Sequence, residues 1–280
     1  MLVNLKEILA DAERRGYAVG LFNMVNLEMA RGIVEAAEAE RSPLILGFAE
    51  VHLPFVPLRY VASIMRQLAR EVSVPICLHY DHGVEFSNIQ EAISLGFTSV
   101  MYDGSALPYD ENIANTRLIV EMARPLNISV EAELGRVGGN ETGDDCGFDE
   151  EHTNPVQVAD FIEKTGIDAL AVAIGTVHGK YKKPPSLDIN RLAEINKISS
   201  KPLVLHGGSG LSPDDFKNTV ANGIRKVNIG TEIFNAAHKA YALDFQDGKS
   251  FESSTVSAKD AVKAVVQEKM RIFGSSGKAN

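Results

Sequence analysis

The chain has 280 residues, 45% hydrophobic and 23% charged, with 28 basic against 37 acidic side chains and a net charge of −9. That length suits one large core, close to the ~250 residues of an α/β barrel, and the acidic balance argues against a general nucleic-acid or anionic-membrane binder, which needs a basic face. The two cysteines, Cys77 and Cys146, form no CxxC pair, there is no signal-peptide pattern, and no apolar run approaches a membrane span, so a cytoplasmic protein with reduced thiols is expected.

Short β-branched runs alternate with amphipathic stretches along the chain. Ala18–Phe22 predicts a first strand, followed by a helix over Leu27–Glu40; Leu44–Phe48 predicts a second, followed by a helix over Leu58–Glu71. The third, Pro75–His79, runs into Asp81-His82-Gly83; the fourth, Ser99–Tyr102, into Asp103 and a helix over Glu111–Ala123. The fifth, Ser129–Leu134, carries Glu131 and Glu133 and precedes the glycine-rich, acidic stretch 138–147, for which a mobile lid and an ordinary surface loop are equally open readings. Ala169–Ala173 precedes His178-Gly179, and Pro202–His206 precedes Gly207-Gly208-Ser209-Gly210 and a helix opened by Ser212-Pro213. Lys226–Gly230 predicts the eighth strand, Ala258–Phe273 an extra amphipathic helix, and the tail from Gly274 a frayed end. Eight strand–helix units over 1–280 predict a single-domain (β/α)8 TIM barrel with an added C-terminal helix.

The polar clusters fall at or past the C-terminal ends of these strands, the face on which barrel enzymes build their sites. His82, His178 and His206, each followed by glycine, supply three imidazoles for a catalytic zinc with an open position. Asp81, beside a proposed ligand, is a candidate acid/base or a partner orienting His82. Glu131 and Glu133, two apart on a strand, share a face, where a cation would offset their burial. Candidate phosphate binders are Gly207, Gly208 and Ser209, the turn Asn228-Ile229-Gly230-Thr231 leading into a helix, and Lys182 in a cationic patch with Lys180 and Lys183. His79, three residues from His82, is a further ligand candidate, but if it lies on the strand it points into a neighbouring layer; His52, His152 and His238 fall outside the pattern and read as surface residues.

Taken together, Asp81-His82-Gly83, Ser99 to Ser105, Val130 to Gly135, the His178 segment and His206 to Gly210 resemble the class II, zinc-dependent fructose- and tagatose-bisphosphate aldolases, over nearly the whole chain. The resemblance implies that His82, His178 and His206 bind Zn2+, that Asp81 exchanges a proton with the C4 hydroxyl of a ketose, and that Glu141 handles the proton at the nucleophilic carbon of dihydroxyacetone phosphate. It implies that Gly179, Gly207, Ser209 and Asn228–Thr231 hold the phosphate with Lys182 assisting, that Asn23 contacts substrate, and that Asp103 and Glu133 lie near the metal. It also implies a monovalent cation, Na+ or K+, near Gly179 and Gly207, a small phosphorylated sugar as partner, and a homodimer or homotetramer. Class I aldolases use a lysine Schiff base instead; the only lysine in a strand candidate, Lys226, begins the eighth strand and so is expected at the opposite face.

The chain departs from the family pattern at Tyr80, around Ala49-Glu50, and at 244–252, where the Asp-Pro-Arg whose arginine binds the distal phosphate is absent. A ketose 1-phosphate with a non-phosphorylated distal end is therefore an alternative to the bisphosphate substrate. Three rivals remain: a zinc hydrolase, which would show His-x-His on the first strand; a metal-free phosphate isomerase, against which the histidines speak; and a non-catalytic structural subunit, which would be expected to lose ligands or Asp81.

Overall fold

The computed structural model describes residues 1–139, 150–179, 181 and 185–279. The strands are β1 (Val19–Asn23), β2 (Leu44–Ala49), β3 (Ile76–Gly83), β4 (Ser99–Tyr102), β5 (Ser129–Leu134), β6 (Gly138–Gly139), β7 (Ala169–Val172), β8 (Val177–His178), β9 (Leu203–Leu205) and β10 (Ile224–Ile229). Eight close into a parallel barrel in the order β1-β10-β9-β7-β5-β4-β3-β2, while β6 and β8 pair as a small separate sheet. The predicted TIM barrel is thus present. Its strands are buried on both faces, which is why β1, β2 and β7 read as nearly continuous apolar runs; β5 is buried too, but carries Glu131 and Glu133 on one face.

The helices are α1 (Leu5–Arg15), α2 (Leu27–Glu40), α3 (Leu58–Arg70), α4 (Phe86–Ser94), α5 (Tyr109–Ala123), α6 (Pro155–Thr165), α7 (Ile189–Ile198), α8 (Pro213–Ala221), α9 (Thr231–Gln246) and α10 (Phe251–Phe273). The sequence reading assigned nothing to 5–15. There α1, held at its start by an Asn4–Glu7 capping box, buries Leu5, Ile8, Leu9 and Ala12 against inward-facing residues such as Leu21, Ile45, Cys77 and Val204. This helix plugs the N-terminal end of the barrel and leaves the C-terminal mouth as the open end.

The added C-terminal helix is present but longer than predicted, and the tail after it is not frayed. Ser275 is fully buried, Ser42 Oγ donates to Ser275 Oγ (2.8 Å), and the N–H groups of Gly277 and Ala279 donate to the carbonyls of Glu40 and Arg41 at the end of α2 (both 2.8 Å). These bonds satisfy carbonyls that a helix end leaves open, a long-range pairing with no local signal.

Candidate active site

Asp81 and His82 are adjacent on β3, where neighbouring side chains ordinarily point to opposite faces. The pairing register with β4 shifts between Tyr80 and Gly83, and His82 takes a left-handed backbone with φ 48°. This bulge turns both side chains toward the barrel mouth. His206 follows β9 directly, and His178 lies on β8, outside the barrel sheet but packed over it. The His82 ring centroid is 4.4 Å from that of His206 and 4.8 Å from that of His178. One nitrogen from each of the three lies within 4.8 Å of the others.

Two carboxylates fix which nitrogens face inward. Asp103 Oδ2 is 2.8 Å from His82 Nδ1, and Glu131 Oε1 is 2.8 Å from His206 Nε2. Assigning the N–H of each ring to its carboxylate leaves His82 Nε2 and His206 Nδ1 facing each other at 2.6 Å. Two lone pairs at that distance repel unless a cation or a proton stands between them. The donor set, with an acidic partner behind two of its imidazoles, fits a divalent ion of zinc type. Burial lowers the pKa of His206, and burial followed by the neighbouring imidazoles lowers that of His178 well below the ordinary value, so both favour the neutral form that ligates.

A second layer lies beneath. Burial opposes ionisation of Glu131, but the Lys226 ammonium and the His206 hydrogen bond outweigh it and hold the carboxyl down to about 2. Lys226 Nζ, fully buried, is 2.8 Å from Glu131 and 4.0 Å from Asp81 Oδ1. This corrects the expectation that Lys226 sits at the opposite face: its strand begins two residues earlier, at Ile224, with a register shift between Ile224 and Lys226, and the side chain runs up the barrel interior. His79 lies in this layer as expected. Its Nδ1 meets Ser99 Oγ at 2.9 Å, and burial lowers its pKa to about 3. Asp81 accepts from Asn23 Nδ2 (3.0 Å) and Asn228 Nδ2 (3.0 and 3.1 Å). Burial pushes its carboxyl up, but His82, Lys226 and His206 outweigh that and hold it well below the usual range. Glu133 behaves oppositely: burial and then the Asp103 charge push its carboxyl up to about 8.

One small cavity of about 30 Å³, partly open to solvent, collects Asn23, His178, Gly179, Gly207, Gly208, Ser209, Asn228, Gly230 and Thr231. Ser209 Oγ accepts from the Glu232 N–H (3.2 Å), tying the glycine turn to the first turn of α9. Tyr181, not singled out in the sequence, donates from its hydroxyl to the Gly207 carbonyl (2.9 Å) and joins two of the loops. Of the predicted residues, Ile229 does not line the cavity; it is fully buried in the core. Glu141 and Lys182 lie outside the described residues.

His52 is not a surface residue: it is 7% exposed and lines this cavity. The short helical turn Glu50–His52 after β2 folds it inward, which strand patterning could not foresee. Two of the three departures from the family pattern touch each other, since Tyr80 Oη donates to Glu50 Oε2 (3.0 Å) and the N–H groups of Val84 and Glu85 add two further bonds to that carboxylate (3.0 and 3.2 Å).

A parallel barrel that gathers three imidazoles and a glycine-lined cavity at its C-terminal mouth has the layout of a barrel enzyme with a candidate metal centre. The family described as "Fructose-bisphosphate aldolase class-II" matches residues 3–278. A fructose-bisphosphate aldolase of Staphylococcus aureus is 40% identical, with 99% of each chain covered, and a probable fructose-bisphosphate aldolase of Bacillus subtilis is 41% identical with the same coverage. Among solved structures, the YdjI aldolase of Escherichia coli K12 superposes with a TM-score of 0.91 at 38% identity, covering 100% of both chains. The chain belongs to the class II fructose-bisphosphate aldolase family and is an aldehyde-lyase.

Proposed function

We propose that this chain catalyses the reversible, zinc-dependent aldol cleavage of a ketose 1-phosphate or 1,6-bisphosphate of fructose or tagatose type, giving dihydroxyacetone phosphate and an aldehyde. The observation that carries the reading is the convergence of His82, His178 and His206, one nitrogen from each within 4.8 Å of the others, beside a glycine-lined cavity. A zinc ion held by His82, His178 and His206 supplies Lewis acidity toward a developing enediolate.

The chain's own groups do the rest. The cavity around Gly179, Gly207, Gly208, Ser209 and Asn228–Thr231 takes the C1 phosphate at the N-terminus of α9, where backbone N–H groups and the helix dipole favour an anion. Lys182 assists, and the backbone near Gly179 and Gly207 takes Na+ or K+. Asp81 accepts the proton of the C4 hydroxyl. The C3–C4 bond breaks, its electron pair stays on the three-carbon half as the enediolate, and C4 becomes the aldehyde carbon. Glu141 returns a proton to C3 to complete dihydroxyacetone phosphate. Asn23 and Asn228 each donate to Asp81 and keep a buried Oδ1 without a partner among the described residues, so each has an acceptor left for a substrate hydroxyl. Asp103 and Glu131 aim His82 and His206.

Glu50 favours a second form of this reading, in which the distal end of the ketose carries no phosphate. A carboxylate fixed by three donors beside the mouth opposes a second anion there.

Proton exchange tests the reading without any aldehyde. In deuterated water the protein is expected to exchange one C3 hydrogen of dihydroxyacetone phosphate stereospecifically, and chelation should abolish the exchange. Exchange that persists at full rate after complete metal removal would sink it.

A further inference from the structure

Resting on that reading, we propose that His52 recognises the distal end of the ketose, as a neutral hydrogen-bonding group for an unphosphorylated, hydroxylated tail. The cavity lies on one side of the barrel mouth. Its phosphate end is built from the loops after β8, β9 and β10, and Asp81 lies below its middle, held by Asn23 and Asn228. With the C1 phosphate in the glycine turns and the C4 hydroxyl at Asp81, the carbons beyond C4 run toward the loops after β1 and β2. On that side the cavity is lined by Asn23 and His52, with Phe234 of α9 packed against the His52 ring.

His52 is placed there by aromatic contacts. Its ring centroid is 5.1 Å from that of Phe234, 6.1 Å from Phe48 and 6.4 Å from Phe55. Neither ring nitrogen has a hydrogen-bond partner among the described residues. Burial lowers its pKa while the Asp81 charge works against that, so the ring is neutral near neutral pH and offers one donor and one acceptor. Among the described residues no lysine or arginine lines this cavity; Glu50, two residues before His52, lines the neighbouring pocket together with Arg136. The N–H groups at the start of α9 serve one phosphate, and a second dianion in the same cavity without a counter-charge is costly, whereas a polyol meets the imidazole and the spare Asn23 oxygen with its own hydroxyls.

The test is run in the condensation direction with dihydroxyacetone phosphate and three acceptors: glyceraldehyde, lactaldehyde, which lacks the terminal hydroxyl, and glyceraldehyde 3-phosphate. A site built to hydrogen-bond a hydroxyl rejects the analogue lacking it. The wild type is expected to prefer glyceraldehyde over both others by tenfold or more in kcat/KM. His52→Phe should cut the preference over lactaldehyde below threefold, chiefly through the acceptor KM, and His52→Gln should retain most of it. Because the readout is a ratio within one protein, a general loss of folded enzyme does not move it. If the wild type exchanges dihydroxyacetone phosphate protons yet prefers glyceraldehyde 3-phosphate, or if His52→Phe keeps the wild-type ratio, the assignment of His52 is overturned alone. If the wild type exchanges nothing with metal bound, the aldolase reading beneath it falls as well.

Discussion

Lys226 Nζ and the Glu131 carboxylate, both fully buried, lie 2.8 Å apart, and the same carboxylate meets His206 Nε2 at 2.8 Å. An ammonium in the layer beneath the mouth thus sets the orientation of an imidazole above it. Removing one partner of a buried pair leaves an uncompensated charge, which costs roughly 3–5 kcal/mol. Lys226→Met is expected to destabilise the protein by about that amount and to weaken zinc binding by about 10–100-fold, the usual loss when a group aiming a ligand is removed. The double variant Lys226→Met/Glu131→Gln should regain stability but not zinc affinity. Denaturant melts and chelator competition measure the two separately; zinc affinity unchanged in both variants would show that the layer does not position His206.

The same pair marks where the sequence was legible and where it was not. The strands, their order and the three histidines could be read because two-sided burial writes apolar runs and glycines punctuate strand ends. Lys226 was misplaced because a strand's start is a matter of a residue or two and a lysine is long: the Cα position alone does not say where Nζ ends. His52 was misread because its burial depends on a three-residue turn and on Phe234, far away in sequence. Helix α1 went unread although its Asn4–Glu7 capping box was visible, because its apolar face gains meaning only from the barrel end it closes.

Asp81 separates the two halves of the proposed reaction. It acts on the C4 hydroxyl and has no part in the C3 proton transfer, so Asp81→Asn should lower kcat for ketose cleavage by about 10²–10⁴, the usual worth of a positioned base. Exchange of the C3 hydrogen should fall by less than tenfold. Equal losses in cleavage and exchange would move Asp81 to the C3 step or reduce it to a structural role.

Glu133 gives a stability signature with a defined sign. Its folded pKa is raised from 4.5 to about 8 by burial and by Asp103. Its favourable share is therefore fully present below pH 4.5, where both states are protonated, and is lost as pH rises toward 8, because the unfolded chain ionises first. In chelated protein, Glu133→Gln should melt close to the wild type at pH 4.5 and increasingly above it up to pH 8. A difference in Tm that stays constant with pH, or that favours the wild type at pH 8, would contradict the neutral, buried carboxyl.

Gly207 and Gly248 share nearly the same left-handed backbone, φ 67° and φ 68°, but not the same surroundings. A Cβ on Gly248 meets nothing within 4 Å, whereas one on Gly207 would approach the Val177 carbonyl oxygen at 2.6 Å. Gly248→Ala should show only the backbone cost, about 1–2 kcal/mol of stability, with KM for dihydroxyacetone phosphate unchanged. Gly207→Ala carries that cost and must also push Val177, and with it the loop bearing His178 and Gly179, away from the phosphate turn. Its KM for dihydroxyacetone phosphate should rise tenfold or more beyond the Gly248 control. If both alanine variants bind dihydroxyacetone phosphate alike, the close approach of Gly207 to Val177 is not what shapes the phosphate end of the cavity.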